Sequence, residues 1–471
     1  MIDLDLDLDT NDFEENQSIS NSDTNINGSG RSEKVIFQVR KVKVTLTELR
    51  YFTFLVLGVA LLWPWNCYLA ASEYFDQRFV PNSKLSNNYS STMMTISTLT
   101  STCCSYILSQ RQHGVDYKYR VKMGQILIII VFAILGMSCV IFTQVNYIIY
   151  FIFVMISVFL NSSATAISQN GVMALVNILG PIFANGVMVG QAFSGVLPSF
   201  TMIISVLAAN KTPIKDKEKE NVDKNYGAMI YFLTSCFVSA LSLFLIWLVD
   251  YLDEIKEEEE TSFEPISMWD NNQDQAQLQL QPQLEPGENL EQQQQHVPFR
   301  YLWSKLKLIA LTIFFTFSIT LIFPVFASSV ESVNNINKNI FTPLAFLIWS
   351  VGDLLARLLC AWSFFIIASP RKLIILSILR LIFIPFFFMC NFKNNKSHAI
   401  IQSDVIYILL QFLFGLTNGQ LCSSSFMNVS RFVDGENEQK AAGGFTTVFL
   451  SIGLAFGSLF SYLFTYLVNR N

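Results

Sequence analysis

Apolar residues in this chain come in long runs separated by short polar breaks. The runs cover about 51–71, 89–110, 122–143, 147–175, 182–207, 226–249, 305–328, 340–368, 371–391, 405–429 and 442–467. Each approaches or exceeds the roughly 20 residues that an α-helix needs to cross a bilayer. The pattern predicts an all-α, polytopic membrane protein of about eleven transmembrane helices. The polar stretch Asp250–Ser304 divides them six and five. Two bundles are therefore expected, 51–249 and 305–467, joined by the loop 250–304 and preceded by a tail, 1–50.

Two full charges interrupt the run 340–368. In Trp349–Leu359, read as WSVGDLLARLL, Asp353 and Arg357 stand four residues apart. On a helix that spacing puts both side chains on one face, within reach of each other. A charge at the bilayer centre costs at least roughly 2.5–3.5 kcal/mol on insertion scales, so it should face protein or a water-filled cavity. Asp353 is the only carboxylate well inside an apolar run, and Arg357 and Arg380 are the only basic residues so placed. A buried ion pair that merely pins one helix to its neighbours would satisfy this pattern. A polar site on a solute pathway would satisfy it too, and is the preferred reading.

Charge outside the runs orients the chain. Residues 1–30 are rich in Asp, Asn and Ser, open with DLDLDLD, and are expected to be disordered. The next twenty turn basic through Arg31, Lys34, Arg40, Lys41, Lys43 and Arg50. Basic residues just ahead of a span predict a cytosolic N-terminus, and an odd number of spans then places the C-terminus on the extracellular or lumenal side. Arg111, Lys118 and Arg120 in one short loop and Arg371 with Lys372 in another agree; loop 208–225, with five lysines against four acids, runs the other way. The acidic, polar start predicts no cleavable signal peptide, so the first span should target the chain. Loop 250–304, with EEEE at 257–260 and glutamine-rich stretches, reads as a disordered cytosolic tether. Asn-x-Ser/Thr sequons at Asn210 and Asn395 fall in loops expected outside, which predicts a glycoprotein; Asn88 fits as well but lies close to a helix start.

Composition narrows the class. Of 471 residues 52% are hydrophobic and 14% charged, and Met123 to Asn210 holds no Asp, Glu, Lys, Arg or His. No soluble domain carries such a stretch. The eight cysteines (67, 103, 104, 139, 236, 360, 390, 422) sit in or at the edges of apolar runs and read as packing residues. Histidines 113, 296 and 398 lack metal-ligand spacing, so no metal or other cofactor is implied. An intramembrane aspartyl protease would need a second carboxylate and a zinc hydrolase would need clustered histidines. No Walker loop appears, so ATP is not the driver. A transporter is expected rather than an enzyme or a receptor.

Other polar positions fall inside the runs. LLWPWNCYLA at 61–70 sets Trp65 and Asn66 beside the helix-loosening Pro64, with Leu69 one turn on. Asn161, Gln169 and Asn170 lie in the fourth run. GVMVGQAFSG at 186–195 spaces Gly186, Gly190 and Ser194 four apart, a small-residue face suited to close helix packing. Gln169 and Gln191 carry amides that both donate and accept, as a nucleobase edge would require. The tenth run holds Gln411, Asn418 and three serines at 423–425. Arg380 precedes Pro385 and reads as a structural group bonding backbone carbonyls or a neighbouring helix.

Taken in order, PWN at 64–66, GQAFSG at 190–195, GDLLAR at 352–357, RLIFIP at 380–385, TNG at 417–419 and GLAFGS at 453–458 resemble the equilibrative nucleoside transporter family. The resemblance covers essentially all the spans. It implies a fold similar to the major facilitator superfamily with one helix missing, and nucleoside movement by alternating access, without cofactor or nucleic acid, by a monomer. It further implies that Asp353 and Arg357 bind the ribose hydroxyls and that Gln169 meets the nucleobase. Trp65, Asn66 and Leu69 would line the cavity or its gate, Gly190 would allow close helix approach beside Gln191, and Asn418 would hold a polar position on the tenth helix. Two positions depart from the family pattern: Ser350 stands where some members carry Asn, and Ala356 replaces the glycine before the arginine. Facilitated diffusion of nucleosides, and of nucleobases as a further class, is the expected function. Proton-coupled uptake is the alternative, and the plasma membrane the expected location, with an endolysosomal membrane as the other.

Overall fold

The computed structural model describes residues 35–39, 42–81, 83–209, 226–262, 296–321, 323–392 and 399–470. Its helices are α1 (Leu46–Ala70), α2 (Ser72–Phe79), α3 (Ser83–Gln110), α4 (Tyr117–Ile141), α5 (Tyr147–Leu179), α6 (Pro181–Ala209) and α7 (Tyr226–Ser262) in the first half. The second half has α8 (Phe299–Thr320), α9 (Phe323–Ser329), α10 (Lys338–Leu359), α11 (Pro370–Leu379), α12 (Phe383–Met389), α13 (Asp404–Asn428) and α14 (Gly435–Arg470). Nine spans among the described residues are long and apolar enough to cross a membrane, with α11 and α12 together forming one of them. The expected count of eleven is reached only when α3 and α6, of 28 and 29 residues, are added. Serine, threonine and asparagine dilute α3, which packs on α5 and α14 rather than standing in lipid on all sides.

Successive long helices alternate in direction. Hence α1, α4, α6, α8, α11 and α14 all begin at one end of the bundle, here the near end, and the others begin at the far end. Within the first half α4 packs on α5 and α7; within the second, α10 packs on α13 and α14 on α8. The halves meet through α6 against α10 and α13, and through α14 against α3 and α5.

Buried apolar residues form three cores. One joins both halves at the near end: Phe54, Leu57, Val172, Met173 and Met188 share it with Leu306, Cys422, Phe426, Ala442 and Phe445. Among the described residues, the far ends do not share a core. Tyr68, Phe75, Phe79, Tyr89 and Phe132 belong to the first half alone, and Phe323, Phe326, Phe341, Phe387 and Tyr407 to the second alone. Polar contacts follow the same division. At the near end Gln112 exchanges two hydrogen bonds with the Val297 backbone (3.2 and 3.0 Å) and Asn177 Nδ2 donates to the Gln439 carbonyl (3.1 Å). Further in, the Ser105 and Ser451 hydroxyls lie 3.0 Å apart. The halves are thus sealed at the near end.

Several segments differ from the sequence expectation. In the tail 1–50, read without secondary structure, β1 (Val35–Val39) and β2 (Val42–Thr45) pair antiparallel, as β-branched residues in VIFQV and VKVT favour, and α1 begins at Leu46. Residues 1–34 and 263–295 lie outside the described residues, as do Asn210 and Asn395. Part of the expected tether is helical. Helix α7 continues to Ser262 because Asp250 pairs with Lys118 and Lys122 (2.8 and 2.9 Å) and Asp253 with Arg50 (2.5 Å), and α8 already begins at Phe299. The run 340–368 is not one helix. It ends at Leu359, and the Ile367 backbone is held instead by Ser424 Oγ (3.1 Å) and Asn428 Nδ2 (2.8 Å) from α13. The run 305–328 breaks between α8 and α9, where Pro324 sits in the first turn of the new helix. The run 371–391 loosens into a single 3-10 turn, Arg380–Ile382, ahead of Pro385, which has no N–H to give.

Of the helix crossings that bring backbones into contact, two are the tightest. A Cβ at Gly190 of α6 would lie 2.0 Å from the Leu55 carbonyl oxygen of α1, and one at Gly58 of α1 would lie 2.2 Å from that of Val187. On the other side, a Cβ at Gly415 or Gly419 of α13 would lie 2.0 Å from the Trp349 or 2.2 Å from the Asp353 carbonyl oxygen of α10. Gly195 has nothing within 4 Å of that position. Gly190→Ala should therefore force α1 and α6 apart and destabilise the purified protein by about 1–3 kcal/mol, the usual cost of overpacking. Gly195→Ala should leave thermal unfolding unchanged or slightly raised; equal behaviour of the two variants would contradict this packing.

Candidate substrate site

The α10–α13 crossing sets Asp353 beside α13, and the helical repeat sets Arg357 one turn below it. Both are buried, at 4% and 5% exposure. Arg357 Nε lies 3.0 Å from Asp353 Oδ2, and its Nη2 donates to Oδ1 at 3.3 Å. From α13, Asn418 Nδ2 donates to the same Oδ1 at 2.7 Å. Asn418 Oδ1 in turn lies 2.6 Å from the Thr320 hydroxyl at the end of α8. That hydroxyl accepts from Arg380 Nη1 at 3.3 Å. Arg380 is also held by the Thr316 and Phe414 carbonyls (3.0 and 3.4 Å), with its guanidinium 4.5 Å from the Phe414 ring centre. One chain of polar contacts thus runs Arg357, Asp353, Asn418, Thr320, Arg380 through three helices and the turn at 380.

Arg357 carries this chain across the molecule. Its Nη1 donates to the Met188 carbonyl of α6, in the other half, at 2.8 Å. Met188 Sδ also lies 3.6 Å from Cys422 Sγ of α13. The guanidinium therefore sits where the two halves come together, at the inner edge of the near-end core.

The first half contributes a second group. Asn66 Nδ2 donates to both the carbonyl and the hydroxyl of Ser194, each at 2.8 Å, tying α1 to α6. Trp65, Gln169 and Gln191 are half-buried, and none makes a side-chain hydrogen bond to another described residue. Leu69 is 47% exposed, and Gly190 is closed against α1. Asn170, beside Gln169, is buried and accepts from Arg120. Of the residues singled out in the sequence, Asp353, Arg357, Asn418 and Arg380 are brought into one network. Trp65, Asn66, Leu69, Gln169 and Gln191 hydrogen-bond to none of them.

A family model described as a nucleoside transporter matches residues 154–466. The chain belongs to the nucleoside transporter family. This transporter is 34% identical over 428 residues to the nucleoside transporter FUN26 of Saccharomyces cerevisiae, covering 87% of this chain and 82% of that one. It is 25% identical over 450 residues to equilibrative nucleoside transporter 1 of Rattus norvegicus, covering 86% and 94%. Among solved structures, the proton:xylose symporter XylE, a major facilitator superfamily protein, superposes with a TM-score of 0.56 at 11% identity, covering 90% of this chain and 91% of that chain. The fold is that of the major facilitator superfamily. The chain is a multi-pass membrane protein of a transporter family, not an enzyme.

Sequence reasoning missed Thr320 and the Met188 carbonyl, and took Ser194 as a packing position without its bonds to Asn66. Thr320 looks like any of the many hydroxyls in the apolar runs; only the helix break that follows it, ahead of Pro324, marks it. A backbone carbonyl leaves no mark in sequence at all. Thr320→Val keeps the shape but strips the link between Asn418 and Arg380. Unfolding of the purified variant should show a loss of about 1–3 kcal/mol, the cost of leaving buried polar groups unpaired. Thr320→Ser should recover most of it.

Proposed function

We propose that this transporter moves nucleosides down their concentration gradient by alternating access. The observation that carries the reading is the place of Arg357. It is paired with Asp353 in one half and hydrogen-bonded to the Met188 carbonyl of the other, at the inner edge of the sealed near end. A ribose diol offers what this pair can use, since the carboxylate accepts from hydroxyls and the guanidinium donates to their oxygens. Substrate entering from the far end would compete with the Met188 carbonyl for the guanidinium. Binding would then loosen the contact that helps keep the near end shut, which couples occupancy to gating. The half-buried, unpartnered amides of Gln169 and Gln191 and the indole of Trp65 supply polar and aromatic groups on the opposite side for a nucleobase. The near end is read as cytosolic and the far end as extracellular or lumenal, so the described form would receive substrate from outside.

Uptake of labelled adenosine and uridine by cells lacking their own carriers tests this. Wild type should show saturable uptake that stops at the equilibrium level and is indifferent to an uncoupler. Arg357→Ala should lose nearly all of it, and Arg357→Lys should retain little, because a lysine cannot hold the carboxylate and the carbonyl in the same fork. Accumulation above equilibrium that collapses with the uncoupler would establish proton coupling instead. The gating half of the proposal has its own test. Asn177→Cys combined with Gln439→Cys should cross-link under oxidation and stop uptake, and reduction should restore it. Uninterrupted uptake by the cross-linked protein would rule out near-end opening as a required step.

A further inference from the structure

The segment 360–369 joins α10 to α11 at the near end. It connects the spans Ile340–Leu359 and Pro370–Met389, so both its ends are fixed at the near-end edge of the bilayer. Most of its backbone is bonded within the protein. The N–H groups of Cys360, Ala361 and Trp362 continue the last turns of α10, and those of Phe365 and Ile366 close the 3-10 turn Ser363–Phe365. Beyond that turn the partners come from α13. Gln420 Nε2 donates to the Phe365 carbonyl at 3.2 Å. The Ile367 N–H donates to Ser424 Oγ at 3.1 Å, and Asn428 Nδ2 donates to the Ile367 carbonyl at 2.8 Å. Gln420, Ser424 and Asn428 stand four apart, so one polar stripe of α13 holds the loop backbone.

The side chains of the segment divide into two sets. Cys360 and Ile366 pack with the core shared by the halves. Trp362 and Phe364 are left outside, at 64% and 89% exposure, with the Phe365 ring 6.4 and 5.4 Å from theirs. Arg371 and Lys372 follow in the first turn of α11, both exposed and, among the described residues, in no ion pair. The sequence has no Asp or Glu between Asp353 and Asp404 to balance them.

We propose that the aromatic turn 362–365 is seated in the headgroup region of the near-end leaflet. Non-helical backbone can border hydrocarbon only where its polar groups are bonded within the protein, and the α13 stripe does this for the segment. A loop built for water would need no such stripe, and exposing Trp362 and Phe364 to water would be unfavourable. Indole rings favour the headgroup level, and the long stems of Arg371 and Lys372 can carry their charges from there to lipid phosphates. An aromatic rim edged by unpaired cations suits a phospholipid surface better than a protein face. One short segment would then touch the seam core on one side and lipid on the other.

Tryptophan fluorescence of the full-length protein in phosphatidylcholine vesicles tests this. The acyl chains carry bromine near the glycerol end or near the methyl end, and acrylamide serves as the quencher in water. The signal of Trp362 is the difference between wild type and Trp362→Phe, and Phe364→Trp adds a second reporter at the most exposed position of the turn. Each should lose most of its signal to the shallow bromines, less to the deep ones and least to acrylamide. Where one variant fails to fold, the other decides. Acrylamide quenching ahead of bromine would put the turn in water, and quenching by neither would put it against protein. Stronger quenching by the deep bromines would put it in the hydrocarbon core. Each of these three results would overturn the proposal.

Discussion

A charged carboxylate held within the membrane span constrains everything near it. Asp353 cannot be left facing hydrocarbon, and one arginine a turn away does not exhaust its oxygens. The structure meets this by spending four more groups. Asn418 turns its amide to the carboxylate, Thr320 donates to the other end of that amide and accepts from Arg380, and the Thr316 carbonyl holds Arg380. Each of these needs a backbone in the right place. The glycines at 415 and 419 let α13 close on α10, and the loosened turn at 380–382 carries Arg380 inward, where it is 2% exposed. The helix breaks of the second half are thus part of how one buried charge is satisfied.

Such a network is weak evidence for stability, since well-packed apolar residues of the same volume often do as well or better. Its distinctive property is that it points outward from its own half. Arg357 gives two of its groups to Asp353 and one to a main-chain carbonyl across the seam. A main-chain acceptor suits that purpose because it is presented whatever side chain stands at 188. The shared near-end core joins the halves without direction, while the arginine contact is directional and, on the proposed reading, open to competition by a hydroxyl-bearing ligand.

What the sequence made legible follows from the range of the forces involved. The cost of exposing apolar or charged groups in the wrong solvent is local, so the apolar runs, the buried pairing of Asp353 with Arg357, and the close-packing glycine at 190 could be read directly. Helix ends were harder. The run 340–368 gives no sign of a break after Leu359, yet its last nine residues leave the helix, with the Ile367 backbone satisfied by Ser424 and Asn428, more than fifty residues on. Helix α7 outlasts its apolar run for the same kind of reason, through partners on α1 and α4. Thr320 went unnoticed because a hydroxyl gains meaning only from what packs against it.

The two ends of the bundle are built on different principles, and this asymmetry bears on how such a protein can change shape. At the far end, among the described residues, each half has a compact aromatic core of its own. The short helix α2 strengthens this by burying Tyr74, Phe75 and Phe79 within its own half. At the near end the core is common property, and parting the halves would uncover apolar surface from both. That cost falls if the newly exposed surface finds lipid or a new packing partner, and it rises steeply if water must wet it. An alternating transporter must keep its two forms within a few kcal/mol of each other. On the proposed alternating-access reading, a shared apolar seam needs an opposing influence, and a guanidinium whose cross-seam bond a ligand could claim would act only when cargo is present.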